Sequence, residues 1–81
     1  MGANSFSLSR GASTPDIAQA GIKQQMISIA SKVILLCDHS KLETNSLINF
    51  ASSKDIDLLI TDQISTELKH RYEEVDIEVL Q

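Results

Sequence analysis

A chain of 81 residues with seven Lys and Arg against eleven Asp and Glu is one small acidic unit of formal net charge −4. That balance argues against direct nucleic-acid binding, which needs a basic face, and 42% hydrophobic with 22% charged residues excludes a disordered chain. One cysteine excludes a disulfide scaffold and fits a reducing, cytoplasmic setting, while no apolar run approaches the roughly 20 residues of a membrane span.

The stretch from Met1 to Ser13 is small and polar, with Ser5, Ser7 and Ser9 alternating with Phe6 and Leu8. It reads as a short strand end or an extended loop, and it lacks the basic start and apolar stretch of a signal peptide. Thr14-Pro15-Asp16 predicts a helix start, with Thr14 capping, Pro15 at the first helical position and Asp16 at the positive dipole end. Ile22, Met26, Ile29 and Ala30 then recur at helical spacing, with Lys23, Gln24 and Gln25 on the other side. Gly21 weakens this helix by about 1 kcal/mol relative to alanine.

Val33-Ile-Leu-Leu-Cys37 is a continuous apolar run that predicts a strand buried on both faces of a parallel sheet. Asp55 to Asp62 holds a second such strand, through Ile56, Leu58, Leu59 and Ile60. Leu47 to Ala51, between them, is too short to assign by periodicity. After Asp62, Ile64, Leu68 and Tyr72 define one helix face, with Lys69, His70 and Arg71 near its C-terminal end. Val75-Asp-Ile-Glu-Val79 alternates strictly, as a strand near a sheet edge does. This order predicts an α/β fold, a parallel sheet with flanking helices. The sheet is left with one edge uncovered on its N-terminal side. Either the chain is at least dimeric or Met1 to Leu8 covers that edge.

The densest chemistry lies in Asp38-His39-Ser40-Lys41, directly after the first apolar strand. Ligands of open α/β sheets bind at the carboxyl ends of the strands. There a carboxylate can accept from sugar hydroxyls, while Lys41 and Ser40 can hold a phosphate or a carbonyl oxygen. Asp62 ends the next strand at the same edge, where it either faces the same crevice or caps the following helix. On spacing alone, Asp38 and Ser40 serve equally well as turn formers. Cys37, Asp38 and His39 make a poor metal or nucleophile set, because His70 is the only other histidine and Cys37 belongs to a buried strand. No metal or other cofactor is expected. Gly2-Ala-Asn4 is a turn-forming stretch whose backbone N–H groups suit an anion.

Taken together, Gly2-Ala-Asn4, Gly11, Thr14-Pro15-Asp16, Ala20, Lys23, Val33 to Lys41 and Asp55 to Asp62 resemble the C-terminal sensor domain of DeoR-type transcriptional repressors. The specific parts are the strand followed by D-x-S-K and the later D-I-D-x-x-I-T-D. The match covers nearly the whole chain but only the second half of that sensor. The resemblance implies a bacterial sugar-catabolism regulator whose sensor binds a phosphorylated sugar and releases DNA. It also implies part of a ribose-phosphate-isomerase-like, CoA-transferase-like three-layer fold. By the same resemblance Asp38, Ser40 and Lys41 are the leading effector contacts, with Lys23, Gly2 and Asn4 behind them. The sequence departs from the family pattern at Ser5, Gly21 and Leu42-Glu43.

On this reading residues 1–81 are the C-terminal portion of a sugar-phosphate sensor. DNA is reached only through an N-terminal helix-turn-helix domain that these residues do not contain, and the chain is expected to self-associate. The alternatives are a fragment of a sugar-phosphate isomerase, whose general base would be Asp38, Asp62 or a glutamate that the sequence does not single out, and an oligomerisation remnant without a ligand.

Overall fold

The computed structural model describes residues 1–81. The elements run β1 (Ser5–Ser7), β2 (Gly11–Thr14), α1 (Ile17–Ile29), β3 (Ile34–Leu36), β4 (Ile48–Ala51), β5 (Leu58–Ile60), α2 (Thr66–Glu73) and β6 (Glu78–Leu80). Two 3-10 turns, His39–Lys41 and Ser53–Asp55, sit in the connections. The α/β class is as expected, but the strands form two sheets. One is antiparallel, in the order β1-β2-β4, and the other parallel, in the order β3-β5-β6.

The antiparallel sheet comes from the polar N-terminal stretch that reads as loop or strand end. Leu8–Arg10 closes a hairpin of three loop residues, and Gly11 follows at φ +83°. That is the left-handed position such a loop requires. A Cβ at Gly11 would lie 2.0 Å from the carbonyl oxygen of Ala51, so only glycine lets β2 approach β4 there. The buried hydroxyls are all bonded. Ser7 donates to Asn45 Oδ1 at 2.7 Å, Ser13 accepts from the Ser46 N–H at 2.8 Å and Thr14 donates to Asn4 Oδ1 at 2.9 Å.

Thr14 therefore ends β2 and does not cap the helix. The cap of α1 is Asp16, whose carboxylate accepts from the N–H groups of Ala18 and Gln19. The helix is also turned relative to its sequence pattern. Ala20 is its one buried residue, while Ile22, Met26 and Ile29 face solvent at 55%, 48% and 86% exposure. Lys23 points inward instead, its Nζ 5.1 Å from the centre of the Phe50 ring and donating to the Gly2 carbonyl at 2.7 Å. A cation over an aromatic face with a carbonyl to bond satisfies the ammonium, and its stem supplies the packing.

The parallel sheet departs from the expectation of double-sided burial. Leu35, Leu59 and Val79 point into the core, and Ile34, Leu36 and Leu80 on the opposite face are exposed. Register places Leu36 beside Ile60 and Leu80, so the bare face is a continuous apolar surface. The free edge of β3 is covered by the chain's own start. Leu36 N–H donates to the Met1 carbonyl at 2.7 Å, Ala3 N–H to the Leu36 carbonyl at 3.1 Å, and Gly2 bridges Leu36 in parallel. Of the two ways to cover that edge, Met1 to Ala3 supplies one.

α2 packs as its spacing predicts, with Tyr72 buried and Leu68 against the core, and Ser65, not Asp62, is its cap. β6 lies at the sheet edge but starts only at Glu78, because Asp76 turns the chain at φ +67°. Phe6 and Tyr72, both fully buried, meet edge to face at 5.3 Å and join the two sheets in one core. The Tyr72 hydroxyl donates to Glu43 Oε2 at 2.7 Å; burial and that carboxylate hold the phenol protonated well above its usual range. No helix is long and apolar enough to cross a membrane.

Candidate functional site at the carboxyl ends of the parallel strands

β3 and β5 run in register, Leu36 beside Ile60, so the residues that follow them are also level. Cys37 and Thr61 are buried at the strand ends, and beyond them Asp38 and Asp62 emerge into solvent. Leu36, Cys37, Asp38, Ile60, Thr61 and Asp62 line an open depression of about 440 Å³. Aligning the two apolar runs by their register would bring Asp38 and Asp62 together from sequence alone.

Asp38 shapes the turn that follows it. Its carboxylate accepts from the Ser40 N–H at 3.2 Å and from the Ser40 hydroxyl, and its carbonyl accepts from the Lys41 N–H at 2.9 Å. This caps the 3-10 turn His39–Lys41 and leaves Lys41 exposed, its ammonium outside the molecule's ion pairs. The turn-forming reading of Asp38 and Ser40 thus holds geometrically, and the same turn carries a hydroxyl and a cation directly after Asp38, which lines the depression.

Asp62 binds the turn from the neighbouring strand. Its Oδ1 accepts from the His39 N–H at 2.8 Å, and its Oδ2 lies 2.7 Å from His39 Nδ1. These bonds, the backbone one first, lower the Asp62 carboxyl to about 2. The same partner raises His39 above its ordinary value of 6.5, with Asp38 adding a smaller push from 3.7 Å. The donor atoms of Asp38, His39 and Asp62 lie within 4.8 Å of one another, a proximity these hydrogen bonds account for. Cys37 is a buried thiol raised to about 11, first by desolvation and then by Asp38, with Lys41 opposing, so it stays protonated at neutral pH.

The second group of expected contacts lies along the N-terminal strand. Gly2 pairs with Leu36, and the parallel run carries Asn4 toward the same end of the sheet as Asp38. Asn4 Oδ1 is committed to Thr14, and the Lys23 ammonium to the Gly2 carbonyl and the Phe50 ring. The structure thus brings Asp38, Ser40 and Lys41 together with His39 and Asp62. Lys23 and Gly2 form a separate contact between α1 and the sheet edge.

Comparison with known proteins gives this arrangement a context. The family profile described as the DeoR C terminal sensor domain matches residues 1–63, a segment that includes both strand ends. The HTH-type transcriptional regulator GlpR of Haloferax volcanii is 42% identical over 62 residues, covering 76% of this chain and 24% of that protein. The HTH-type transcriptional repressor GlcR of Bacillus subtilis is 46% identical over 46 residues, 57% of this chain and 18% of its own. The HTH-type transcriptional regulator GolR of Listeria innocua is 28% identical over 80 residues, 98% and 32% respectively. The chain therefore spans between 18% and 32% of the length of these curated relatives. With the profile extending from the N-terminal strand through the Asp38 turn to the end of β5, the chain belongs to the DeoR C terminal sensor domain family.

Proposed function

We propose that residues 1–81 are the C-terminal portion of the effector sensor of a sugar-catabolism transcriptional repressor, and that the effector is a phosphorylated sugar. The observation that carries this reading is the Asp38–Ser40–Lys41 turn. In a segment matched by the family profile, it sets an exposed hydroxyl and an unengaged ammonium at the carboxyl end of a parallel strand. Phosphate oxygens take charge-assisted bonds from lysine; the Ser40 hydroxyl, which in the free chain donates to Asp38, joins them by turning toward the ligand and frees Asp38 to accept from sugar hydroxyls. Gly2, Asn4 and Lys23 would join the site only by exchanging their present partners, the Lys23–Gly2 bond and the Thr14–Asn4 bond, for the effector. The relatives are named as regulators, which supports binding over turnover. DNA contact then belongs to a helix-turn-helix domain elsewhere in the cytoplasmic protein.

The bare apolar face of the parallel sheet fits the same reading. Parallel sheets are covered on both faces, so the rest of the sensor would supply the third layer, and the 81-residue chain by itself would bury this face against a second copy.

The test is a melting-temperature screen of the chain against pentose and hexose phosphates. One of them raises the midpoint, and Lys41→Ala removes the rise. A flat response across the panel overturns the reading.

A further inference from the structure

We propose that His39 is a further contact for the effector's phosphate, and that Asp62 is the positioning residue that aims its ring. The inference rests on the proposed function and adds two residues to it. His39 is tied to Asp62 twice, by its backbone N–H at 2.8 Å and by Nδ1 at 2.7 Å. A carboxylate that accepts from Nδ1–H fixes the tautomer and leaves Nε2 as the outward ring atom. Nε2 makes no hydrogen bond within the molecule, and the side chain is 44% exposed on the same short turn as Ser40 and Lys41.

Charge gives this arrangement its consequence. The charged groups against the ring are Asp38 from the end of β3, at 3.7 Å, and Asp62 from the end of β5, at 2.7 Å, while Lys41 stands two residues along the same turn. Two carboxylates against one ammonium repel a phosphate. A proton on His39 offsets that excess and turns Nε2 into a second donor beside Lys41. Asp62 stays ionised throughout, because His39's own N–H groups lower it to about 2. Phosphate binding therefore strengthens as pH falls through the titration of His39. Below about pH 6 the gain ends, as the ligand itself takes up a proton.

The experiment uses the 81-residue chain and follows the ring C–H resonances of its two histidines from about pH 8 to about pH 6. The spectra are recorded alone and with ribose 5-phosphate, glucose 6-phosphate or inorganic phosphate, and His70 serves as the reference. A sugar phosphate is expected to move the His39 midpoint upward by about one unit, which is about tenfold tighter binding to the protonated ring. His39→Gln should bind more weakly and lose the pH dependence, and Asp62→Asn should lower the His39 midpoint of the free chain. If a sugar phosphate binds in a Lys41-dependent way while the His39 midpoint stays put, or His39→Gln keeps the wild-type pH profile, the His39 assignment is overturned and the sensor reading stands. If no sugar phosphate perturbs any resonance, both fall. A response equal to that of inorganic phosphate overturns the sugar part of the reading alone.

Discussion

In β1 and β2, Ser5, Ser7, Ser13 and Thr14 are no more than 5% exposed, whereas in β3 and β6, Ile34, Leu36 and Leu80 are 40%, 50% and 56% exposed. The antiparallel sheet buries polar residues and the parallel sheet exposes apolar ones. The first arrangement is stable because every buried hydroxyl has a named partner. The second leaves apolar surface in water, which adjacent strands share as one patch. A residue's polarity thus tells less about its burial here than its place in the register does.

The sharpest way to break that comparison is to shorten two neighbours on β3. Leu35 is fully buried and Leu36 half exposed. Leu35→Ala should cost about 2–5 kcal/mol, enough to unfold much of a chain this small. In a chain diluted until it is monomeric, Leu36→Ala should stay within about 0.5 kcal/mol. Urea denaturation of both variants at dilute concentration measures the difference. Equal losses would mean that the outer face is buried too, against another copy, and the loss at Leu36 would then depend on protein concentration.

A smaller effect tests the buried hydroxyls. Ser13, 1% exposed, accepts the Ser46 N–H at 2.8 Å and so ties β2 to the loop before β4. Ser13→Ala leaves that N–H unpaired and should cost about 1–2 kcal/mol, read from the same urea curves. A neutral result would mean that the Ser46 N–H finds water instead and that the polar burial in β2 is not structural.

The same contrast explains what was legible in the sequence. The parallel strands, the C-terminal helix and the Asp38–Ser40–Lys41 turn were readable because apolar runs ending in polar residues mark strand ends directly. The antiparallel sheet was not, since serines in a short strand carry no periodic signal and their burial depends on partners such as Asn45 and Ser46, distant in sequence. α1 misleads for the opposite reason. Its apolar stripe is real, but Ala20 and Lys23 face the sheet because a small side chain and a cation over Phe50 fit there. In the site, the sequence places Asp62 at the same edge as Asp38 but leaves crevice and helix cap open, and the register together with the Ser65 cap decides for the crevice.

The smallest expected effect probes the polar seam of the parallel sheet, the His39–Asp62 pair that ties the turn after β3 to the end of β5. His39 is raised from 6.5, so its share of stability is complete below about pH 6.5 and is lost as pH rises through the raised value. Asp62 is lowered from 3.8 to about 2, so its share is complete above 3.8 and is lost as pH falls toward 2. Both hold together only between those two ordinary values. Thermal melts of wild type and Asp62→Asn should therefore differ most near pH 5 and converge on the alkaline side, as His39 loses its proton. The difference should be modest everywhere, because both side chains are about half exposed and water screens them. A gap between the two melting curves that does not change with pH would mean that Asp62 acts only through the His39 backbone N–H. The link from β3 to β5 would then be made without the imidazole.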